Sequence, residues 1–205
     1  MTYLTGMPAP ADVRALAVAQ DGSLWVGTSS RPRRYLDRVW TEYRGGVLPN
    51  KPVAAFAATA DGAVWTAWDS GVGRMVEDHW TVWEQGTPTG IPEGSGEIVV
   101  LAADSQDRAW AGTRSGSVLQ FARGRWTLLG TPGAAGAPVL ALAPGADGTV
   151  WAGTDGGGLG RYDGQAWQAV PAAAGLGDDV VPAVFVAPGG DVWCATGAGI
   201  AHWTP

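Results

Sequence analysis

The 205-residue chain carries 32 glycines, 14 prolines and 12 tryptophans, and only 16% of its residues are charged. Disordered chains show the opposite balance, and glycine and proline every few residues are at odds with a helical protein. A net charge of −6 disfavours non-specific binding to nucleic acid or anionic membranes, and no apolar run approaches the roughly 18–20 residues that span a bilayer. The length suits one domain with a sizeable core, and the single cysteine, Cys194, makes no internal disulfide.

The chain opens on Met1-Thr2-Tyr3-Leu4, without the charged-then-apolar order of a secretory leader. From Val13 a pattern begins that returns four times. The first unit runs Val13, Leu16, Asp21-Gly22, Trp25, Tyr35 and Trp40-Thr41-Glu42-Tyr43. The second repeats it as Val53, Phe56, Asp61-Gly62, Trp65, Met75 and Trp80. The third has Ile98, Leu101, Gln106-Asp107, Trp110, Phe121 and Trp126, and the fourth Val139, Leu142, Asp147-Gly148, Trp151, Tyr162 and Trp167. The fifth has Val181, Val184, Gly189-Gly190, Trp193 and Trp203, and stops before its second tryptophan column. The five framework tryptophans are spaced 40, 45, 41 and 42 residues apart.

Each unit reads as four short strands. The segment after the β-branched residue, such as Val53-Ala-Ala-Phe-Ala-Ala-Thr59, predicts a first strand buried on both sides. Asp-Gly predicts a two-residue hairpin with positive φ, leading into the tryptophan strand. A third strand ends on the Tyr/Met/Phe column, and a fourth carries Trp-Thr-x-aromatic. Four strands per 40–45 residues make one β-propeller blade. The small residues of the first strands, such as Ala15, Ala55, Ala141 and Ala183, suit convergence on an axis, while tryptophans fill the wider wedges outside.

The expected fold is therefore all-β: a five-bladed β-propeller of four-stranded antiparallel blades spanning residues 1–205. Repeats start near 13, 53, 98, 139 and 181. Met1-Thr2-Tyr3-Leu4 matches Trp40-Thr41-Glu42-Tyr43, and Val13 follows Met1 by 12 residues where Val53 follows Trp40 by 13. Residues 1–5 are thus expected to complete the last blade and close the ring.

The units Val13-Arg-Ala-Leu-Ala-Val-Ala-Gln-Asp-Gly-Ser-Leu-Trp-Val-Gly-Thr28 and Val139-Leu-Ala-Leu-Ala…Asp147-Gly-Thr-Val-Trp-Ala-Gly-Thr154…Gly158-Leu-Gly-Arg-Tyr162…Trp167 resemble the two-component regulator propeller repeat. The resemblance covers essentially the whole chain and implies a ligand-sensing propeller, in that family often extracellular and often for carbohydrates. Family sensors usually have more blades, with a transmembrane helix and kinase domains that these 205 residues do not contain. The matched positions are framework, so no ligand-contacting residue carries over.

Groups for chemistry are sparse. His202 shares a column with Arg34, Arg74, Gln120 and Arg161 and reads as a solvated strand residue; His79, beside Glu77 and Asp78, lacks further metal ligands. Cys194 follows Trp193 in a core column. Asp155-Gly-Gly-Gly-Leu-Gly-Arg161 mimics a phosphate loop but leads into a strand, so it reads as a turn. Arg31, Arg33, Arg34, Arg38 and Arg44 crowd one stretch, yet alternation along strands divides them between faces. No catalytic, cofactor-binding or metal residue is expected, and no cofactor.

The first-to-second and third-to-fourth connections are short. The others leave from the opposite rim and vary more, up to Glu84–Glu97. Function concentrates on such loops. Four residues past each framework tryptophan stand Ser29, Asp69, Arg114, Asp155 and Gly197, and Trp68 replaces the threonine found at Thr28, Thr113, Thr154 and Thr196. Trp68, Asp69, Arg114 and Asp155 are therefore the candidate ligand contacts, with Trp68 either stacking on the ligand or covering the long loop. The expected function is a non-catalytic, sensor-like module that binds a small molecule, a carbohydrate among the candidates, or a protein. It is expected to be monomeric, without nucleic-acid or membrane partners, and cytoplasmic as given or extracytoplasmic if part of a sensor. A lectin and a ligand-free scaffold are the alternatives.

Overall fold

The computed structural model describes residues 12–43, 48–104, 106, 108–170 and 175–204. Within them lie five antiparallel sheets and no helix. The first sheet comprises β1 (Ala15–Val18), β2 (Leu24–Gly27), β3 (Arg33–Leu36) and β4 (Val39–Glu42). The second comprises β5 (Ala55–Ala58), β6 (Val64–Trp68), β7 (Gly71–Val76) and β8 (His79–Glu84). The third has β9 (Ile98–Ala103), β10 (Ala109–Thr113), β11 (Val118–Ala122) and β12 (Arg125–Gly130). The fourth has β13 (Val139–Pro144), β14 (Val150–Thr154), β15 (Leu159–Tyr162) and β16 (Trp167–Val170). The fifth holds three strands, β17 (Ala183–Val186), β18 (Val192–Thr196) and β19 (Gly199–Trp203). Every sheet is a meander in sequence order, and the first strands β1, β5, β9, β13 and β17 pack one against the next. Residues 1–5, expected to complete the fifth sheet, lie outside the described residues.

Packing between sheets is directional. Each of the first four sheets presents its framework tryptophan forward, and the next sheet covers it with the apolar residues of its rear face. Trp25 meets Phe56, Val64, Met75 and Trp80; Trp65 meets Leu101, Phe121 and Trp126; Trp110 meets Leu142, Val150 and Trp167. Trp80 stands edge-on to Trp25 at 5.9 Å, and Trp126 edge-on to Trp65 at 6.1 Å, the arrangement that aromatic quadrupoles favour. The third residue after that fourth-strand tryptophan turns the other way, onto its own sheet's framework ring. Tyr43 stacks on Trp25 at 5.3 Å and Trp83 on Trp65 at 5.8 Å.

Close approach between sheets also fixes a glycine. A Cβ on Gly112 would lie 2.5 Å from Cγ1 of Val139, and one on Gly27 would lie 2.6 Å from Cγ1 of Val53. Val53, Val139 and Val181 thus pack into the notches left by Gly27, Gly112 and Gly153 of the units before them.

Two expectations need correction. The Asp-Gly hairpins are three-residue loops, not two-residue ones: the amide of Ala19 donates to the carbonyl of Ser23, and only Gly22 carries positive φ, at 79°. Asp21 sits before it and accepts from both the amide and the hydroxyl of Ser23. The two-residue turns are the third-to-fourth connections, where Asp37-Arg38, Glu77-Asp78 and Arg123-Gly124 have positive φ at both positions. Second, the first strands are not all buried on both sides. On β1, Leu16 is 61% exposed, and on β17, Phe185 is 61% exposed. These belong to the end sheets, each of which has one covered face and one uncovered face.

Two stability measurements follow. Gly112→Ala is expected to cost about 1–3 kcal/mol by overpacking, and less in a Val139→Ala background, as read by a double-mutant cycle in urea. The indole N–H of Trp25 donates to Ser23 Oγ at 3.0 Å, whereas that of Trp65 is buried without a partner and Ala63 holds the corresponding position. Ala63→Ser is expected to raise stability by about 0.5–1.5 kcal/mol.

Candidate functional site

The two rims of the sheet array use their polar residues differently. On the rim of the first-to-second turns, a carboxylate, a cation and the framework indole recur as one stack. Arg34 lies over Trp25 with its guanidinium carbon 5.9 Å from the ring and pairs with Asp21 at 2.5 Å. Arg74 lies over Trp65 at 5.4 Å and pairs with Asp61 at 3.6 Å. In the third sheet Gln120 takes the arginine column, and Arg108 approaches from its own strand instead, 5.4 Å over Trp110 and 2.5 Å from Asp104. Arg161 lies over Trp151 at 5.9 Å. In the fifth sheet His202 stacks flat on Trp193 at 4.0 Å and faces Asp191 at 3.3 Å. The column read as solvated is thus the lid of the framework ring in every sheet but the third, because antiparallel pairing puts Trp25 opposite Arg34 and Trp193 opposite His202 on one face.

The turn carboxylates are held in the charged form. The Thr149 hydroxyl, the Thr149 amide and nearby Arg161 bring Asp147 below the usual carboxylate range against a modest desolvation penalty. For Asp61 desolvation is the largest influence and pushes upward, but Thr59, the Ala63 amide and Arg74 outweigh it. These acids are committed to turns and lids, which leaves them unsuited to proton transfer.

The opposite rim carries the predicted contacts. Lys51 Nζ bonds Asp69 at 2.9 Å and Ser70 Oγ at 2.8 Å. Arg114 grips Glu97 through two nitrogens at 2.6 and 3.3 Å. Asp69 lies near enough to Glu97 to raise its pKa, although Arg114, the largest influence, brings Glu97 below the ordinary range. Lys51, Asp69, Glu97 and Arg114 thus form one exposed string across the second and third sheets, two neighbouring carboxylates each held by a cation on its outer side. Asp155 stands apart in the fourth sheet, where its amide bonds the Pro138 carbonyl and its neighbours Gly156 and Gly158 both bond the Asp179 carbonyl.

Trp68 offers no face to a ligand. It is 3% exposed, its indole N–H points at Glu84 at 3.4 Å, and its ring lies where a Cβ on Gly71 would be, 2.5 Å away. The Asp69-Ser70 connection is a two-residue turn with Trp68 folded over it. Where threonine holds the column its hydroxyl bridges the connection instead, as Thr113 does to the Ser117 carbonyl at 3.2 Å and Thr196 does to the Gly199 carbonyl at 3.1 Å.

The remaining candidates are structural. Burial pushes the Cys194 thiol up to about 11, so it carries little thiolate. His79 Nδ1 contacts the Glu77 carbonyl at 2.7 Å, and among the described residues no three metal-ligating side chains converge. Strand β15 follows the Asp155–Gly158 loop directly. The arginine-rich stretch is dispersed: Arg33 is buried against Glu42 at 3.4 Å, Arg34 lids Trp25, and Arg31 reaches Asn50 at 3.2 Å. Arg44 lies outside the described residues.

Sequence reading missed one feature. Between the fourth and fifth sheets a cavity of about 630 Å³ opens over Trp151, lined by Arg161, Gln168, Val170, Val186 and Trp203 among others. In the three preceding wedges that position holds a fourth-strand tryptophan of the following sheet. The fifth sheet has no fourth strand among the described residues.

No family model and no curated protein matches the chain. Solved structures do. The extracellular domain of a putative hybrid two-component system from B. thetaiotaomicron aligns at TM-score 0.72 and 23% identity, over 94% of this chain and 27% of that one. A catalytically inactive virginiamycin B lyase from Staphylococcus aureus, solved with quinupristin, aligns at 0.72 and 18% identity, over 96% of this chain and 71% of that one. YCF48 bound to a D1 peptide aligns at 0.67 and 14% identity, over 96% and 65%. The chain thus spans about a quarter of the two-component domain's length. At these identities the likeness establishes a shared propeller-like fold of antiparallel sheets.

A pH dependence follows from the turn carboxylates. Asp147 titrates lower when folded than the ~3.9 of an unfolded aspartate, so its stabilising effect is present above that value and is lost as pH falls through the folded pKa. Asp147→Asn is expected to be less stable than wild type at pH 7. The gap should narrow below about pH 4, as read by thermal melts across pH.

Proposed function

We propose that this chain is a non-catalytic, sensor-type binding module: a single five-bladed propeller across residues 1–205, closed by residues 1–5 as the fourth strand of the fifth sheet. The observation that carries the binding role is the contrast between the two rims. One rim repeats the same acid, cation and indole stack in successive sheets, which is framework. The other bears the Lys51, Asp69, Glu97 and Arg114 string on loops that differ from sheet to sheet. Rigid scaffolds display their specific contacts on such loops.

Two carboxylates flanked by an ammonium and a guanidinium offer both donors and acceptors, which suits a polyhydroxylated ligand such as a carbohydrate. Asp69 and Arg114 are the contacts we assign first, with Asp155 a separate contact on the fourth sheet and Trp68 supporting the loop beneath. The extracellular two-component neighbour supports a sensor role and a place outside the cytoplasm. The lyase neighbour is an enzyme on the same fold, and fold alone does not decide between binding and catalysis. Engagement of Asp21, Asp61, Asp104, Asp147 and Asp191 in turns and lids favours binding. We take the module to act as a monomer.

The test is a thermal-shift screen with sugars, peptides, nucleotides and divalent ions, run on wild type, Asp69→Ala and Arg114→Ala. A compound that raises the wild-type melting temperature and fails on both variants supports the rim site; one that acts equally on all three overturns it. Deleting residues 1–5 is expected to lower the melting temperature by about 4–8 °C, equivalent to about 2 kcal/mol for a chain of this size. An unchanged melt would overturn the closed ring.

A further inference from the structure

We infer that the cavity over Trp151 is a second binding site, shaped for an aromatic α-amino acid whose ring takes the place an indole holds in the other wedges. It opens on the rim of the first-to-second turns, uses none of the Lys51, Asp69, Glu97 and Arg114 string, and is walled by described residues. The neighbouring wedges define what it fits. Trp25 packs against Tyr43 of its own sheet at 5.3 Å and against Trp80 of the next sheet at 5.9 Å. Trp65 has Trp83 at 5.8 Å and Trp126 at 6.1 Å in the same two places.

Around Trp151 neither place holds a ring among the described residues. Val170 stands in the column of Tyr43 and Trp83, three residues past the fourth-strand tryptophan, and the fifth sheet has three strands. The ring that does meet Trp151 is Trp203 of β19, at 6.3 Å. Between Val170, Val186 and Trp203 lies the space of about 630 Å³, within the ~300–1,000 Å³ of small-molecule pockets. Trp203 is 37% exposed, so an aromatic ring seated there gains an aromatic neighbour as well as apolar walls.

The polar end of the cavity sets the rest of the ligand. In the first three sheets the cation over the framework ring is paired with a turn carboxylate: Arg34 with Asp21, Arg74 with Asp61 and Arg108 with Asp104. Arg161 lies over Trp151 and lines the cavity, yet it forms no ion pair among the described residues. Its charge acts on Asp147 and Asp163 from a distance. Asp163 is held by the amides of Gln165 and Ala166 and by Gln168 Nε2 at 2.9 Å. Asp147, also in the cavity wall, accepts from the Thr149 amide and hydroxyl, both at Oδ1. A guanidinium and a carboxylate thus border one cavity without closing on each other. An aryl acid brings its anion toward Asp147, and a bare aromatic leaves both charges unmatched. An α-amino acid matches them, its carboxylate on Arg161 and its ammonium on Asp147, with the side chain in the wedge.

Isothermal titration calorimetry on the full chain tests the site, with L-tryptophan as the probe. Wild type is expected to bind it, and to show no binding of alanine, which lacks the ring. Val170→Trp copies the Trp83 arrangement into the cavity and is expected to abolish binding while melting no lower than wild type. Arg161→Gln, whose column already holds Gln120 in the third sheet, is expected to weaken binding about tenfold or more through loss of the charge-assisted contact. It decides the matter alone if Val170→Trp does not fold. Asp69→Ala and Arg114→Ala are expected to bind tryptophan as wild type does, which separates this site from the rim string. No binding by wild type overturns the proposal, as does binding that survives in a folded Val170→Trp or undiminished in Arg161→Gln, or that is lost in the two rim variants. N-acetyl-tryptophan amide, which lacks both charges, is expected to bind more weakly than tryptophan; equal binding would overturn the roles given to Arg161 and Asp147.

Discussion

The structure depends on burying one indole per repeat between two sheets. A tryptophan on a second strand is too large to be covered by its own sheet, so it requires a neighbour's rear face, and that neighbour brings its own uncovered tryptophan. Stability in such an array comes mainly from nearest-neighbour interfaces, as in other stacked repeats. The interface is polar in direction: a forward face with tryptophan and a glycine notch meets a rear face with a β-branched residue and a fourth-strand aromatic. Because the two faces differ, each unit fits only in one order. The front of the fifth sheet and the back of the first are left as complementary halves, with Phe185 and Ile200 exposed on one and Leu16 and Val18 on the other. Exposed apolar surface of this extent is a liability in a free chain, and closing the array on itself removes it without any new type of contact.

The cation lids explain why charged residues accompany this aromatic framework. An arginine over an indole interacts with the ring's quadrupole while its stem covers the ring's outer face. The turn aspartate then fixes the guanidinium and at the same time caps the hairpin, as Asp21 does by bonding Ser23 and Arg34 together. In the third sheet the arginine arrives from position 108 and not from the third strand, yet the lid geometry is retained. The constraint therefore lies on the place of the charge and not on the sequence column that supplies it. This rim is occupied by such stacks, and loop variation is confined to the other.

The repeat itself was legible because its columns are spaced by strand geometry: Trp25, Trp65, Trp110, Trp151 and Trp193 fall on second strands, with the fourth-strand tryptophans where hydrophobic pattern places them. Turn type was not. Asp-Gly occurs both in two-residue hairpins and in three-residue loops, and the choice depends on which residue after the glycine rejoins the ladder, a matter of pairing and not of the dipeptide. Arg34, Arg74 and Arg161 were read as outward-facing because alternation was followed along one strand. Following it across to the paired strand would have placed them on the framework tryptophans. Residue type alone leaves Trp68 open between stacking on a ligand and covering a loop, and its burial beside Glu84 and Gly71 accords with the second. Gly71 was the available signal, since only a residue without a side chain leaves room for the indole to fold over.

The rim reading and the directional interface bear on each other. Loops on a rim can diverge only if the sheets beneath hold their positions, and here each sheet is held by its neighbour's tryptophan and its own lid. The Lys51, Asp69, Glu97 and Arg114 string crosses from the second sheet to the third, the two sheets between which Trp65 packs with Trp83, Phe121 and Trp126 at ring separations of 5.8, 5.0 and 6.1 Å. It is here that exposed polar side chains from two sheets keep a fixed separation, which a ligand contacting both requires. The wedge over Trp151 has no fourth-strand aromatic from the fifth sheet among the described residues, so the proposed rim contacts would rest on the filled wedge between the second and third sheets and not on this one.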